Sequence, residues 1–263
     1  MDQNVISHHS LAHLSHEEVN SAFRRRPALI VPLGGCEPFG NAALGIESVC
    51  CERVAHALGE RMDILVAPLL PFGCSVPFMS FSGSSGMKPR TFTNLMLELL
   101  HCYIFQGIRS LVLVNAAPFN SEPLEEVRER LSEKYAEVRV MVFDLNLDSR
   151  VRKFAFVDEN GCGNDRNEKL FASLLSFVAP ELLHGGKEKL SVKTASVKEY
   201  RTWRKRGRDP QKYRSLFPNG LVCTEAADFD HQQGREFFEF LVNTAQSDIS
   251  TLLELDESKT GNA

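Results

Sequence analysis

Four short apolar runs constrain the fold of this chain more than any other feature of its sequence. Their apolar residues are continuous rather than alternating with polar ones, which is typical of parallel strands covered on both faces of a sheet. The predicted strands are residues 28–33, 63–69, 110–115 and 138–143. Segments with helical periodicity separate them, as the crossover connections of parallel strands require. The pattern therefore predicts an α/β fold, a three-layer α/β/α sandwich with a mainly parallel sheet.

The helical segments carry recognisable start signals. Ser15 and Glu18 have the spacing of a capping box, which predicts a first helix that continues to about Arg25. Further helices are predicted at residues 47–59, 91–107, 123–135, 168–178 and 231–255. A length of 263 residues favours one large domain. We expect that domain to span 15–256, between a flexible N-terminus at 1–14 and a flexible tail at 257–263.

Composition and charge argue against several classes of protein. Apolar residues make up 43% of the chain and charged residues 24%, as in globular rather than disordered proteins. The net charge of −4 argues against a whole-chain affinity for nucleic acid. Neither a long apolar run nor a signal-peptide pattern is present, so we expect no membrane association. The seven cysteines are scattered without a CxxC pair, which indicates reduced thiols and a cytoplasmic location.

Three loops follow predicted strands at their carboxyl ends, where open α/β sheets bind their ligands. The first loop is GGCEPFG at 34–40, and the third is NAAPFN at 115–120. Between them, PFGCS at 71–75 continues through FSGS at 81–84. Because the carboxyl ends of parallel strands share one edge of a sheet, we expect these loops to line a common site.

Taken in this order, the loops resemble those of the creatininase (creatinine amidohydrolase) family. Residues 32–40 are similar to the start of the family pattern P-x-G-[SA]-x-E-x-H-G-x-H-L-P-x-x-T-D, and 44–47 resemble its end with one residue deleted. Residues 71–84 are similar to P-x-G-x-S-x-x-H-x-x-F-P-G-T, and 115–120 to N-G-H-G-G-N. A later H-A-G-x-x-E-T stretch corresponds to 161–167.

The resemblance covers roughly residues 15 to 255. It implies a creatininase-like fold, a self-assembling chain, and a dinuclear metal hydrolase that opens cyclic or linear amides. In such a site two divalent ions share a bridging water, lower its pKa and polarise the scissile carbonyl. Zinc or manganese would be the metal if this chemistry survives in the chain.

Carrying the family's metal ligands over by position leaves most of them replaced. Glu37 matches the first ligand, and the bridging Asp corresponds to Glu47 if the one-residue deletion is accepted or to Ser48 if it is not. The other ligand positions hold apolar, small or cationic residues: Phe39, Ala42, Phe78, Ala117, Gly161 and Arg166. Two carboxylates alone cannot hold two transition ions in an apolar pocket. We therefore expect no metal and no other cofactor.

The predicted catalytic residues are Cys36, Glu37, Glu47 and Cys162. Glu37 is either a ligand or general base with a raised pKa, or a carboxylate bonded to loop amides or to an arginine. The two cysteines are either nucleophiles or small buried apolar residues. Around them, the predicted pocket residues are Phe39, Phe78, Asn115, Phe119, Asn120, Asp165 and Arg166.

A strongly basic segment, KEYRTWRKRGRDPQKYR, lies at residues 198–214 and holds eight basic residues against two acidic ones. It is either a solvated surface helix, a contact with another subunit or an acidic protein, or a nucleic-acid surface whose aromatic residues stack on bases. The predicted surface patch consists of Arg201, Trp203, Arg204, Lys205 and Arg206.

Three functional hypotheses follow. In the first, a creatininase-family protein has lost its dinuclear metal centre and acts as a non-catalytic binding or regulatory subunit, with itself or another protein as partner. In the second, an amidohydrolase acts on cyclic amides or related C–N bonds through a rebuilt site that uses Glu37, Glu47 and Asp165 as acids. In the third, segment 198–214 binds nucleic acid or an acidic protein, of which nucleic acid is not the expected partner.

Overall fold

The computed structural model describes residues 8–40, 42–155, 168–183, 195, 197–205, 209–222 and 229–260. Within these ranges, four parallel strands form one sheet: β1 Ala28–Leu33, β2 Leu65–Val66, β3 Ser110–Asn115 and β4 Arg139–Asp144. Their order across the sheet is β2-β1-β3-β4. The predicted α/β class and the parallel sheet are confirmed.

Helices connect the strands and cover both faces of the sheet. In the described residues they are α1 His16–Arg25, α2 Ile46–Met62, α3 Pro89–Phe105, α4 Ser121–Lys134, α5 Ser149–Ala155, α6 Glu168–Val178, α7 Val197–Lys205, α8 Pro210–Leu216 and α9 His231–Thr260. Short 3₁₀ helices lie at Leu11–His13, Val76–Phe78, Pro118–Asn120 and Pro180–Leu182. No described helix has both the length and the apolarity needed to cross a membrane.

Each strand divides its side chains between two hydrophobic cores, because successive side chains of a strand point to opposite faces. Ile30 and Val112 face the core formed with α2, α5, α6 and α9. Leu29 and Leu111 face the core formed with α1, α3, α4, α7 and α8. The continuous apolar runs of the sequence are thus explained by burial on both sides, in the three layers that the pattern predicted.

The capping box at the first helix is present as predicted. The Ser15 side chain accepts a hydrogen bond from the backbone N–H of Glu18, whose carboxylate accepts one from the Ser15 N–H at 2.7 Å. The second strand is shorter than predicted. Helix α2 continues to Met62, and the pairing with β1 lapses after Ala67, where Pro32 of β1 has no N–H to donate, and resumes at Leu70.

The predicted domain limits at residues 15 and 256 stay predictions. On the N-terminal side, the carbonyl oxygen of His9 accepts a hydrogen bond of 2.6 Å from the N–H of Val66, and Ser10 is buried beside β2. At the other end, helix α9 continues to Thr260 rather than ending at Leu255.

Candidate functional site

Buried polar side chains gather at the carboxyl edge of the sheet. The register pairs Leu33 of β1 with Asn115 of β3, and Asn115 with Asp144 of β4, so these three strands end at the same level. The buried polar residues at the strand ends and in the segments that follow them include Glu37, Ser75, Asn115, Asn120, Asp144 and Asn146. The three predicted loops therefore meet in one place, as the topology requires.

Glu37 lies in the loop after β1, and its side chain is fully buried. Its backbone N–H donates to the carbonyl oxygen of Leu44, and its Oε1 accepts a hydrogen bond of 2.9 Å from the Ser75 hydroxyl. A Cβ built on Gly35 would lie 3.2 Å from Glu37 Oε1, from Ser75 Oγ and from the Ala117 methyl group. One residue from each of the three loops thus surrounds the backbone of Gly35.

Asn120 ties the three loops together through its amide group. Its Oδ1 accepts a hydrogen bond of 2.7 Å from the Cys74 N–H. Its Nδ2 donates to the carbonyl oxygen of Gly34 at 3.1 Å and to Asn115 Oδ1 at 3.2 Å. A Cβ on Gly73 would collide with this amide, so glycine is required there for the close approach. Asn120 is therefore an architectural residue of the strand ends.

Asp144 closes the same network at the end of β4. Its Oδ2 accepts hydrogen bonds from Asn115 Nδ2 at 2.8 Å and from Ser121 Oγ at 2.5 Å. Its Oδ1 accepts the backbone N–H groups of Asn146 and Leu147, each at 2.8 Å. Burial raises the pKa of the Asp144 carboxyl, and these hydrogen bonds oppose the rise without reversing it.

The sequence patterns did not single out Asp144 or Asn146. Asn146 Nδ2 donates to the carbonyl oxygen of Ala116, which joins β4 to the third loop. The sequence signal that could have identified these two residues was their position just after the predicted strand 138–143. Ser75 was part of a predicted loop, but its bond to Glu37 depends on where the first two loops meet.

Aromatic rings fill the space beside this polar network. The side chains of Phe39, Phe78 and Phe119 are all buried. The Phe78 ring centroid lies 5.7 Å from that of Phe119 and 4.9 Å from that of Tyr213, both in edge-to-face geometry. The Phe119 centroid lies 6.5 Å from that of Trp203. The pocket-forming positions are thus occupied by close-packed apolar groups.

Glu47 and Ser48 both lie buried in the first turn of α2. The Ser48 hydroxyl donates a hydrogen bond of 2.8 Å to the carbonyl oxygen of Gly35 and so fastens α2 to the first loop. Glu47 lies near Cys50, whose thiol pKa is raised by burial and further by the carboxylate of Glu47. This arrangement makes Cys50 an inert core thiol.

Cys36 is half-buried in the first loop, where its thiol donates a hydrogen bond of 3.5 Å to the carbonyl oxygen of Gly83. The remaining predicted site residues, Cys162, Asp165 and Arg166, lie outside the described residues. The same holds for Arg206 of the predicted surface patch and for Gly161, which the resemblance aligned with a ligand.

The described donor set does not fit a dinuclear metal centre. In the described part of the chain, no group of three or more His, Cys, Asp or Glu side chains is arranged to hold a metal ion. Ala117, which the resemblance aligns with a His ligand, carries a methyl group, and Phe39 and Phe78, which it aligns with two more, carry buried phenyl rings. Methyl and phenyl groups supply no ligand to zinc or manganese.

The basic segment forms α7 and α8, and its aromatic residues point inward. Trp203 is only 4% exposed, and Tyr200 and Tyr213 are buried with it. The prediction that Trp203 belongs to a surface patch is therefore wrong. The centroid of its indole ring lies 4.7 Å from that of the Tyr213 ring, and its N–H donates a hydrogen bond to the Asp209 carbonyl oxygen. Arg201 and Lys205 are exposed, and Arg204 is half-buried.

Comparison with known proteins agrees with this architecture. The crystal structure of a creatinine amidohydrolase (creatininase) superposes with a TM-score of 0.73 at 19% identity, over 92% of this chain and 97% of that chain. A creatininase described as the Mn form gives 0.70 at 19%, over 92% and 97%. A mutant creatininase of the Zn-Zn type gives 0.71 at 19%, over 91% and 96%.

A comparison with curated protein sequences gives no match. The sequence model of the creatininase family, described as creatinine amidohydrolase, matches residues 12–249. This match spans most of the chain and includes the strands and loops that build the site. The chain therefore belongs to the creatininase family.

Proposed function

We propose that this chain is a non-catalytic creatininase-family protein that acts as a binding or regulatory subunit. The observation that carries the proposal is the burial of Phe39, Phe78 and Ala117 at positions where the family resemblance calls for imidazole ligands. A metal-activated water needs both the ligands and the space that these side chains occupy.

The polar network supports the same proposal. The side chains of this network form hydrogen bonds with one another and with the backbone of the loops; they are Asn115, Asn120 and Asp144. Buried polar groups that are satisfied in this way stabilise one arrangement of the strand ends. Their role here is to hold the scaffold.

The first test is the metal content of untagged, freshly purified protein after dialysis against metal-free buffer. We expect zinc, manganese and iron well below stoichiometric amounts, together with no turnover of creatinine or creatine. A stoichiometric metal that supports turnover and is removed by a chelator with loss of that turnover would contradict the proposal.

One observation favours a second candidate, an amidohydrolase with a rebuilt site. The Glu37 carboxylate is fully buried and accepts a hydrogen bond from Ser75, which holds an acidic side chain at the strand ends, where open α/β sheets bind their ligands. In that enzyme Glu37 would be the base, Glu47 and Asp165 would be further acids, and Cys36 or Cys162 would be the nucleophile.

The substitution Glu37→Gln separates the two candidates. It keeps the shape and an acceptor oxygen for Ser75 but removes the base. A measurable cyclic-amide hydrolysis that Glu37→Gln abolishes would support the enzyme. Hydrolysis that is absent in the wild type supports the non-catalytic role, whereas hydrolysis that is unchanged in the variant rules out Glu37 as the base. Ser75→Ala is the matched control, since it removes the hydrogen bond and leaves the carboxylate.

We also propose a cytoplasmic location and self-association. The cysteines that the structure describes, including buried Cys50 and Cys51, are free thiols, which suits a reducing compartment. Self-association is implied by the family resemblance. Light scattering coupled to size-exclusion chromatography would give the assembly mass, and a monomer at all concentrations would contradict this part of the proposal.

A further inference from the structure

The solvent-facing side of α7 and α8 carries basic side chains, while the aromatic side chains of these helices pack inward against the core. The inward aromatic residues Trp203 and Tyr213 contact each other, and the Tyr213 hydroxyl donates a hydrogen bond of 2.9 Å to the Gly220 carbonyl oxygen. These contacts fasten both helices to the core that includes Phe78 and Phe119. The exposed basic residues on the two helices are Lys198, Arg201, Lys205, Lys212 and Arg214. We call these five residues the α7–α8 basic surface.

The charge of this surface is not balanced within the described chain. None of the five residues forms an ion pair with a described carboxylate. Some arginines elsewhere on the described surface do face one, as Arg61 faces Glu239 and Arg130 faces Glu126. Since the whole chain carries a net charge of −4, the basic surface is a local excess of positive charge on an acidic protein.

An exposed apolar side chain borders the basic surface. Met79 is 60% exposed at the end of the 3₁₀ helix Val76–Phe78. The next residue, Ser80, accepts a hydrogen bond at its carbonyl oxygen from the Arg214 guanidinium, which also lies 5.7 Å from the centroid of the Phe81 ring. Methionine adapts to differently shaped apolar partners, and arginine is favoured in protein interfaces.

The same geometry disfavours nucleic acid as the occupant. Single-stranded nucleic acids bind to surfaces that combine cations with exposed aromatic rings on which bases stack. Here Tyr200, Trp203 and Tyr213 are buried, so the described surface offers charge without a stacking platform. A flexible acidic peptide needs only the charge and an apolar contact.

We propose that the α7–α8 basic surface, with Met79 at its edge, is a docking site for an acidic protein segment that carries one apolar anchor residue. The anchor contacts Met79, and the flanking carboxylates pair with the lysines and arginines. This inference names the class of partner for the binding role proposed above, and it therefore rests on that proposed function.

The test uses a fluorescein-labelled poly-glutamate peptide with one central leucine, and it measures binding to the full-length protein by fluorescence anisotropy. The triple variant Arg201→Glu, Lys205→Glu, Lys212→Glu should bind this peptide at least about tenfold more weakly. The matched control reverses three exposed charges on helices that cover the other face of the sheet, Arg53→Glu, Lys153→Glu and Arg235→Glu, and should bind like the wild type.

The apolar part of the site has its own variant. Met79→Ser should weaken binding of the leucine peptide on the order of fivefold, and should leave binding of a poly-glutamate peptide without leucine unchanged. If the triple charge-reversal variant does not fold, the double variant Arg201→Gln, Lys205→Gln replaces it. Because this variant removes positive charges without adding negative ones, we expect a smaller loss of affinity for the peptide.

Three results would overturn the inference: no binding of the leucine peptide to the wild type, equal weakening by the control triple, or tighter binding of an oligothymidylate of the same length. Metal content and creatinine turnover are measured on the same preparations. Stoichiometric metal that supports creatinine turnover, with intact peptide binding, refutes the non-catalytic role alone, whereas absent metal and turnover with absent peptide binding refutes the docking site alone.

Discussion

Replacing Asn120 by alanine should destabilise this protein more than a single buried amide usually does. The side chain is fully buried, and it makes hydrogen bonds to Cys74, Gly34 and Asn115. Truncation removes all of these bonds together. It leaves the Cys74 N–H, the Gly34 carbonyl and the Asn115 side-chain oxygen to be satisfied by other groups or by water in a protected site.

The magnitude follows from the cost of buried polar groups that lose their partners. Each such group costs about 1–3 kcal/mol, and relaxation of the Gly73 loop or entry of a water recovers part of that cost. We therefore expect Asn120→Ala to lower the free energy of unfolding by about 3–5 kcal/mol, at the upper end for single substitutions. Asn120→Asp keeps an acceptor for Cys74 but buries a carboxylate oxygen against two acceptor oxygens, so a loss at least as large as that of Asn120→Ala is expected for it.

Urea denaturation followed by far-ultraviolet circular dichroism would measure both changes. Asn243→Ala is the matched control, because Asn243 is an exposed asparagine on α9 with a hydrogen bond to Arg61, and its loss should cost about 0.5 kcal/mol or less. A loss below about 1 kcal/mol for Asn120→Ala would refute the architectural role that we assign to the Asn120 amide.

Three further predictions concern the aromatic core, the Asp144 carboxyl and the thiols. Trp203→Ala should cost about 3–5 kcal/mol in urea denaturation, whereas Phe105→Ala, at a side chain that is 86% exposed, should be nearly neutral. Because burial raises the folded-state pKa of Asp144, the native state holds its proton longer than the unfolded chain. Its contribution to stability should therefore fall as pH rises from about 3.8 through the raised value, relative to Asp144→Asn; a rise across that window would show the opposite shift. Burial raises the pKa of Cys51 to about 12, so alkylation and peptide mapping at neutral pH should modify exposed Cys102 and leave Cys51 intact until unfolding.

Local pattern was sufficient for the elements whose signals lie within a few residues. Strands Ala28–Leu33 and Ser110–Asn115 and helix Glu168–Val178 have the predicted bounds. The capping box at Ser15 is a contact between residues three apart, so it can be read without the rest of the fold. The second strand was overestimated because an apolar run does not reveal where a neighbouring strand stops pairing.

The features of the site also divide into those that the sequence predicts and those that depend on tertiary contacts. The order of the strand-end loops was enough to indicate the family, since parallel strands bring their carboxyl ends to one edge and each loop keeps its own short motif. Which side chains meet at that edge was decided by tertiary structure: Ser75 reaches Glu37, and Asp144 reaches Asn115 and Ser121.

The basic segment at 198–214 shows most clearly what the sequence alone does not determine. Its charge could be counted from the sequence, and so could the aromatic residues among its cations. The side on which those aromatic residues lie depends on what covers the helices, and here Tyr213 contacts Phe78 while Trp203 contacts Phe119. The sequence by itself determined the layers, the loops and the family, because these depend on local periodicity and order along the chain. The tertiary structure alone decided which faces are buried, because burial is set by contacts between residues far apart in the chain.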